Sequence, residues 1–207
     1  MNFDNYISKL EKELSESDKI ELISFHRFKP VTNSLYADYC EKFQLFLPQI
    51  LADFYTVSNG LQVRWRKKNK PKLYEKEIAE SGNPFKWNWP AEHYWQLDGL
   101  INLLPLEQFL FGIYKDFMWF DFEEKYSINF LNNTINLQKF KQSLRPFDVY
   151  DKYYTVAAYA TIDAFHILLG DDHNADFLHY PAITAEKYFE MLFLSKGEIK
   201  QRPKFFK

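Results

Sequence analysis

The residues best suited to chemistry lie in one run, Gly170-Asp171-Asp172-His173-Asn174-Ala175-Asp176. Carboxylates and an imidazole are ligands for a divalent cation. The spacing differs from a calcium loop, because the alternating acidic series and the closing glutamate are absent. Gly, Asp and Asn are also the residues a tight turn demands. The run is therefore read first as a turn. A metal-dependent active site that recruits a histidine is the alternative, and an acidic rim facing a basic partner is a third reading.

The other reactive residues carry weaker signals. His26, His93, His166, His173 and His179 are the five histidines, and no two have the spacing of a helical H-E-x-x-H site. His166, between Phe165 and Ile167, reads as a strand residue with a satisfied ring. Cys40 is the single cysteine, so no internal disulfide exists. Its neighbours Tyr36, Tyr39 and Phe43 make it a small buried hydrophobe rather than a nucleophile. The run Arg64-Trp65-Arg66-Lys67-Lys68-Asn69-Lys70 has two readings. One is a phosphate-binding strip with an aromatic platform. The other, preferred, is a strand edge entering a solvated loop, where charge also discourages edge-to-edge pairing. The formal net charge of -2 argues against general nucleic-acid binding. Neither a glycine-rich phosphate loop nor a G-x-S-x-G elbow is present. Phe85, Trp87, Trp89, Tyr94 and Trp95 form the densest aromatic region. They are core residues or anchors for a protein interface.

These residues must be positioned by elements legible in the pattern. Residues 1 to about 28 read as helical, with Tyr6, Leu10 and Leu14 four apart and a possible restart after Asp18. Thr32 or Asn33 caps a helix carrying Leu35, Tyr39, Phe43 and Phe46. Pro48 opens the next helix, whose apolar face is Ile50, Leu51, Phe54 and Tyr55. Asn59-Gly60 stops it, and Leu61, Val63 and Trp65 alternate like a half-buried strand. Lys67 to Tyr94 is a charged and aromatic insertion. Leu100–Leu104 is a buried strand, and Pro105 starts a short helix with Leu106, Phe109 and Leu110 that Gly112 ends. Met118, Phe120 and Phe122 alternate like a strand. Asn132-Asn133 is a turn before a helix. Tyr153–Ile162 is strand or helix, because its alanines favour one and its tyrosines the other. Phe165–Leu169 is a strand, Gly170–Asn174 a turn, and Ala175–Leu178 a returning segment. Thr184 caps a final helix that Gly197 closes, and a frayed basic tail follows.

Helices gather at both ends with strands between. The fold class is α+β, with a mainly antiparallel sheet packed by helices from the N-terminal and C-terminal parts. The organisation expected is an N-terminal helical extension over residues 1–30 and a single domain over 31–200. Rings dominate the hydrophobic residues, with 21 Phe, 14 Tyr and 5 Trp, so the core is expected to be packed by aromatics. The sequence has no secretion-signal pattern and no run of about 18 apolar residues, so a cytoplasmic protein is expected.

The order of these pieces resembles the SUKH superfamily, which contains bacterial toxin-immunity proteins and fungal cell-wall assembly regulators. Leu47-Pro48, Phe54-Tyr55 and Asn59-Gly60 look like its LP, aromatic and NG landmarks. Leu103-Leu104-Pro105-Leu106 with Phe109 looks like its strand and short helix. Ala175-Asp176-Phe177, then Thr184 to Gly197, looks like its closing strand, capped helix and terminal glycine. The resemblance implies a binding protein without a shared catalytic motif, cofactor or metal. Its partner would be a cognate toxin domain, neutralised by covering the active site. No membrane and no direct nucleic-acid contact are expected. If the toxin is a nuclease, Asp121, Glu123, Glu124, Asp171 and Asp172 are candidates to mimic a phosphate backbone. Trp87, Trp89 and Trp95 are candidate apolar anchors. A regulator binding a housekeeping partner is the alternative, and a metal-dependent enzyme using the 171–176 turn is a further one.

Overall fold

Asn2 opens the first helix because its side chain accepts a hydrogen bond from the Asn5 backbone N–H at 3.1 Å. Helix α1, Phe3–Ser15, buries Phe3, Ile7, Leu10 and Leu14, which recur at the spacing of one helical face. The computed structural model describes residues 1–69, 97–111, 127–149, 154–171 and 180–207. In chain order α1 is followed by β1 (Ile20–Arg27), α2 (Asn33–Phe43), α3 (Gln49–Tyr55), β2 (Leu61–Lys67), β3 (Gly99–Leu103) and α4 (Leu106–Phe111). Then come β4 (Ser127–Phe130), β5 (Asn133–Asn136), α5 (Leu137–Gln142), β6 (Leu144–Val149), β7 (Tyr154–Ala160), β8 (Phe165–Asp171) and α6 (Ala185–Leu194). A 3-10 helix, Ile199–Phe206, ends the chain.

Six strands form one sheet in the order β1-β2-β3-β6-β7-β8, and every neighbouring pair is antiparallel. The chain is thus α+β with a mainly antiparallel sheet, as the pattern predicts. Aromatic rings fill the core on one face. Phe3 lies 5.4 Å from Phe54 and 4.9 Å from Phe189, ring centre to ring centre, which ties α1, α3 and α6 together. Phe147 continues the cluster at 5.8 Å from Phe189 and 5.7 Å from Phe109. The β4–β5 hairpin and α5 build a second cluster, where Phe130 and Phe140 pack on Tyr159 beside Leu144, Ala157 and Leu168.

Several local expectations hold for their stated reasons. Thr32 Oγ1 accepts from Leu35 N at 3.2 Å and caps α2, and Thr184 Oγ1 accepts from Lys187 N at 3.3 Å and caps α6. A helix does follow Asn132-Asn133, as α5 capped by Asn136, but Asn133 itself begins β5, a strand the pattern does not reveal, which comes between them. Between its neighbours β6 and β8, Tyr154–Ala160 is a strand, so pairing outweighs its alanine content.

Other expectations are corrected. The helical reading of residues 1–30 fails after Ser15, because β1 pairs with β2 along its length as the outermost strand of the described sheet. Leu22 stands opposite Trp65 and Phe25 opposite Val63, and these cross-strand pairs replace a second helical turn. Phe46 lies beyond α2, which ends at Gln44 in a left-handed conformation. Gly170 and Asp171 belong to β8, opposite Thr155 and Tyr154, rather than to the start of a turn. The basic tail is ordered as the 3-10 helix and buries Arg202, Phe205 and Phe206. Beyond Asn69 the expected insertion falls outside the described residues. So do Gly112, the Met118–Phe122 alternation and the Ala175–Leu178 segment.

Candidate interaction surface

Most sequence-derived site residues lie outside the described residues. Trp87, Trp89 and Trp95 fall in 70–96, Asp121, Glu123 and Glu124 in 112–126, and Asp172 in 172–179. His93, His173, Asp176 and His179 lie in the same stretches. Asp171 is placed by its backbone alone, as the last residue of β8. Among the described residues no group of three or more His, Cys, Asp or Glu side chains could hold a metal ion. Nor, among them, is any helix long and apolar enough to cross a membrane.

The basic strip is not a strand edge. β2 is flanked by β1 on one side and β3 on the other, and Arg64 and Arg66 are buried. Side chains alternate along a strand, so Trp65 leaves the opposite face from both arginines. Arg66 pairs with Glu21, Nη2 to Oε2 at 2.6 Å. Burial pushes the Arg64 guanidinium down to about 10. The Trp65 indole donates to the Lys196 carbonyl at 2.7 Å. A phosphate strip needs an exposed stacking platform beside exposed cations, and here Trp65 and both arginines are buried.

His166 sits near the ring of Phe130, 6.2 Å between centres, and burial holds its imidazole below its ordinary value. A histidine with a depressed folded pKa resists protonation in the fold, so stability is fully present above about 6.5 and declines below it. His166→Gln is expected to shrink the fall in melting temperature between neutral pH and pH 5. Thermal unfolding monitored by circular dichroism checks this, and an unchanged pH slope would refute it. Cys40 is half-buried, and burial raises its thiol pKa. A raised pKa leaves little thiolate at neutral pH.

Two constellations were invisible in the sequence or only half visible. The first is a buried polar network. Arg202 of the tail donates to the Asp148 carboxylate, to the Tyr188 hydroxyl and, at 2.6 Å, to the Leu100 carbonyl. Tyr188 donates to the same carboxylate at 2.5 Å, and its other oxygen accepts from Asn102 N at 2.8 Å. The second joins two landmarks far apart in sequence. Asn59 Oδ1 accepts from Leu106 N at 2.8 Å and so caps α4 across the chain. Gly60 has φ of +100°, and a Cβ there would meet the Leu103 carbonyl oxygen at 2.8 Å and Pro105 N at 2.9 Å. Tyr55 donates its hydroxyl to the Leu104 carbonyl at 3.2 Å, and the Ser58 hydroxyl donates to Gly60 O at 2.6 Å.

A groove lies where the end of α6 meets β2 and the 3-10 tail. It holds about 460 Å³ and is lined by Trp65, Leu194, Lys196, Glu198, Lys204 and Phe205 among others. The tight turn after α6 shapes it, with Lys196 at φ of 55° and Gly197 at φ of 71°. Leu194, the last residue of α6, projects from the side opposite the buried face and is 81% exposed. Sequence reasoning missed this groove because its lining spans Trp65 to Phe205 and depends on the tail being ordered.

Comparison of the chain with protein-family models, with curated proteins and with solved structures found no match.

Proposed function

We propose that this protein is a SUKH-type binding domain that neutralises a toxin domain by covering its active site. The observation that carries the reading is the junction of Asn59-Gly60 with Leu103-Leu104-Pro105-Leu106. Two of the landmarks that carry the resemblance are one physical unit, because one supplies the cap and the close approach that the other needs. A pattern whose parts depend on each other in space is harder to obtain by chance than the same parts scattered. The α+β class with its antiparallel sheet fits the same reading. The protein acts by steric occlusion, without chemistry of its own. Co-expression with the toxin-like domain encoded beside its gene is the test. Rescue of growth together with a co-purifying complex is expected. Failure of both, with both proteins folded, would refute that pairing.

A further inference from the structure

We infer that the groove between α6, β2 and the C-terminal 3-10 helix docks an acidic protein segment that inserts an aliphatic or aromatic side chain. Charge makes the first half of the argument. From Lys196 to Lys207 the chain carries five cationic residues and one carboxylate, Glu198, whereas the whole chain has net charge -2. The paired members of this set are already occupied. Lys196 Nζ is 2.8 Å from Glu13, Glu198 is 3.7 Å from Lys67, and Arg202 is consumed by Asp148 in the core. Among the described residues no carboxylate lies within 4.0 Å of Lys204, which is exposed on the groove wall. An anionic partner therefore meets a cation that gives up no internal ion pair.

Shape and polarity make the second half. A concavity of about 460 Å³ is of the size that takes side chains rather than a flat contact. Its aromatic wall needs no further polar partner, because the Trp65 N–H is already bonded to Lys196 O. Leu194 and Met191 supply aliphatic surface beside it. The groove lining also carries Lys196 and Glu198, but each is paired outside it, so among the described residues its one free charge is the Lys204 ammonium, which matches a Leu or Phe preceded or followed by Asp or Glu. On the proposed function this segment is an acidic loop of the toxin domain, so the inference rests on that reading for its biological partner. The chemistry of the groove stands apart from it.

The test uses the full chain and two peptides, Asp-Glu-Leu-Phe-Asp-Glu and Lys-Arg-Leu-Phe-Lys-Arg. Titration into isotope-labelled protein is followed by nuclear magnetic resonance. The acidic peptide is expected to shift the Trp65 indole N–H and the amides of Leu194 to Lys196 and Lys204. It should bind at least tenfold tighter than the basic peptide. Leu194→Asp and Lys204→Glu alter exposed side chains, fold normally, and are each expected to weaken it at least tenfold. Equal binding of the two peptides, shifts elsewhere, or no shifts at millimolar peptide would overturn the inference. Self-association of the free protein that Leu194→Asp abolishes would also overturn it, in favour of a second copy as occupant. If the adjacent toxin domain forms a complex that neither variant weakens, the groove assignment fails while the proposed function stands. If no complex forms but the acidic peptide binds as expected, the proposed pairing fails and the groove stands.

Discussion

Arg202→Ala is expected to cost about 3–5 kcal/mol, the range for leaving one member of a buried ion pair without its partner. Both Arg202 and Asp148 are fully buried, so solvent cannot replace the lost cation. The substitution also strips a donor from the Leu100 carbonyl and from the Tyr188 hydroxyl. It opens a cavity between Tyr188 and Phe205, whose rings lie 5.8 and 5.9 Å from the guanidinium. Arg202→Lys should recover little, because one ammonium cannot reproduce the planar fork that spans three acceptors. The double variant Asp148→Asn with Arg202→Met should be markedly more stable than Arg202→Ala, since it removes the unpaired charge and refills the volume. Urea unfolding with an unchanged slope measures all three. A loss below about 1 kcal/mol for Arg202→Ala would show that the tail is not the anchor its burial implies.

The legible and illegible parts of the fold separate on physical grounds. α2, α3 and α6 announce themselves because their start signals are local, Thr32 and Thr184 as side-chain caps and Pro48 as the proline just before its helix. β2 is legible because its apolar positions alternate, and β3 because it is a short apolar run. β1 is not, and the reason is a bulge. Its register with β2 shifts between Leu22 and Ser24, so Leu22 and Phe25 share a face although three positions apart. That shift breaks the period of two and lets the segment pass for helix. At the tail, Lys-Gln-Arg-Pro-Lys looks solvated, since nothing nearby in sequence reveals Asp148 as the partner of Arg202. Gly170 and Asp171 favour a turn by composition, yet their pairing with β7 keeps them in a strand. The candidate groove was illegible for a related cause. Each of its walls is an ordinary helix, strand or tail, and only their meeting makes a site.

Gly60→Ala is expected to destabilise the protein more than any single loss among the hydrogen bonds around it. A φ of +100° is strained for any side-chain-bearing residue, at about 1–3 kcal/mol. The added methyl meets backbone atoms of Leu103, Leu104 and Pro105 at 2.8 to 3.2 Å, and backbone inside a sheet-to-helix connection cannot swing aside. Overpacking of this kind adds a cost of similar size. Relief requires separating Asn59-Gly60 from β3, which lengthens the bond that caps α4 and the Tyr55 contact with Leu104. Asn59→Ala removes only the cap and should cost about 1 kcal/mol. The two substitutions disturb one junction, so the double variant should lose less than the sum of the singles. Chemical denaturation of the three variants decides it. If Gly60→Ala is as stable as the parent chain, the junction is slack. The coupling between the two landmarks, which carries the functional reading, would then lose its physical basis.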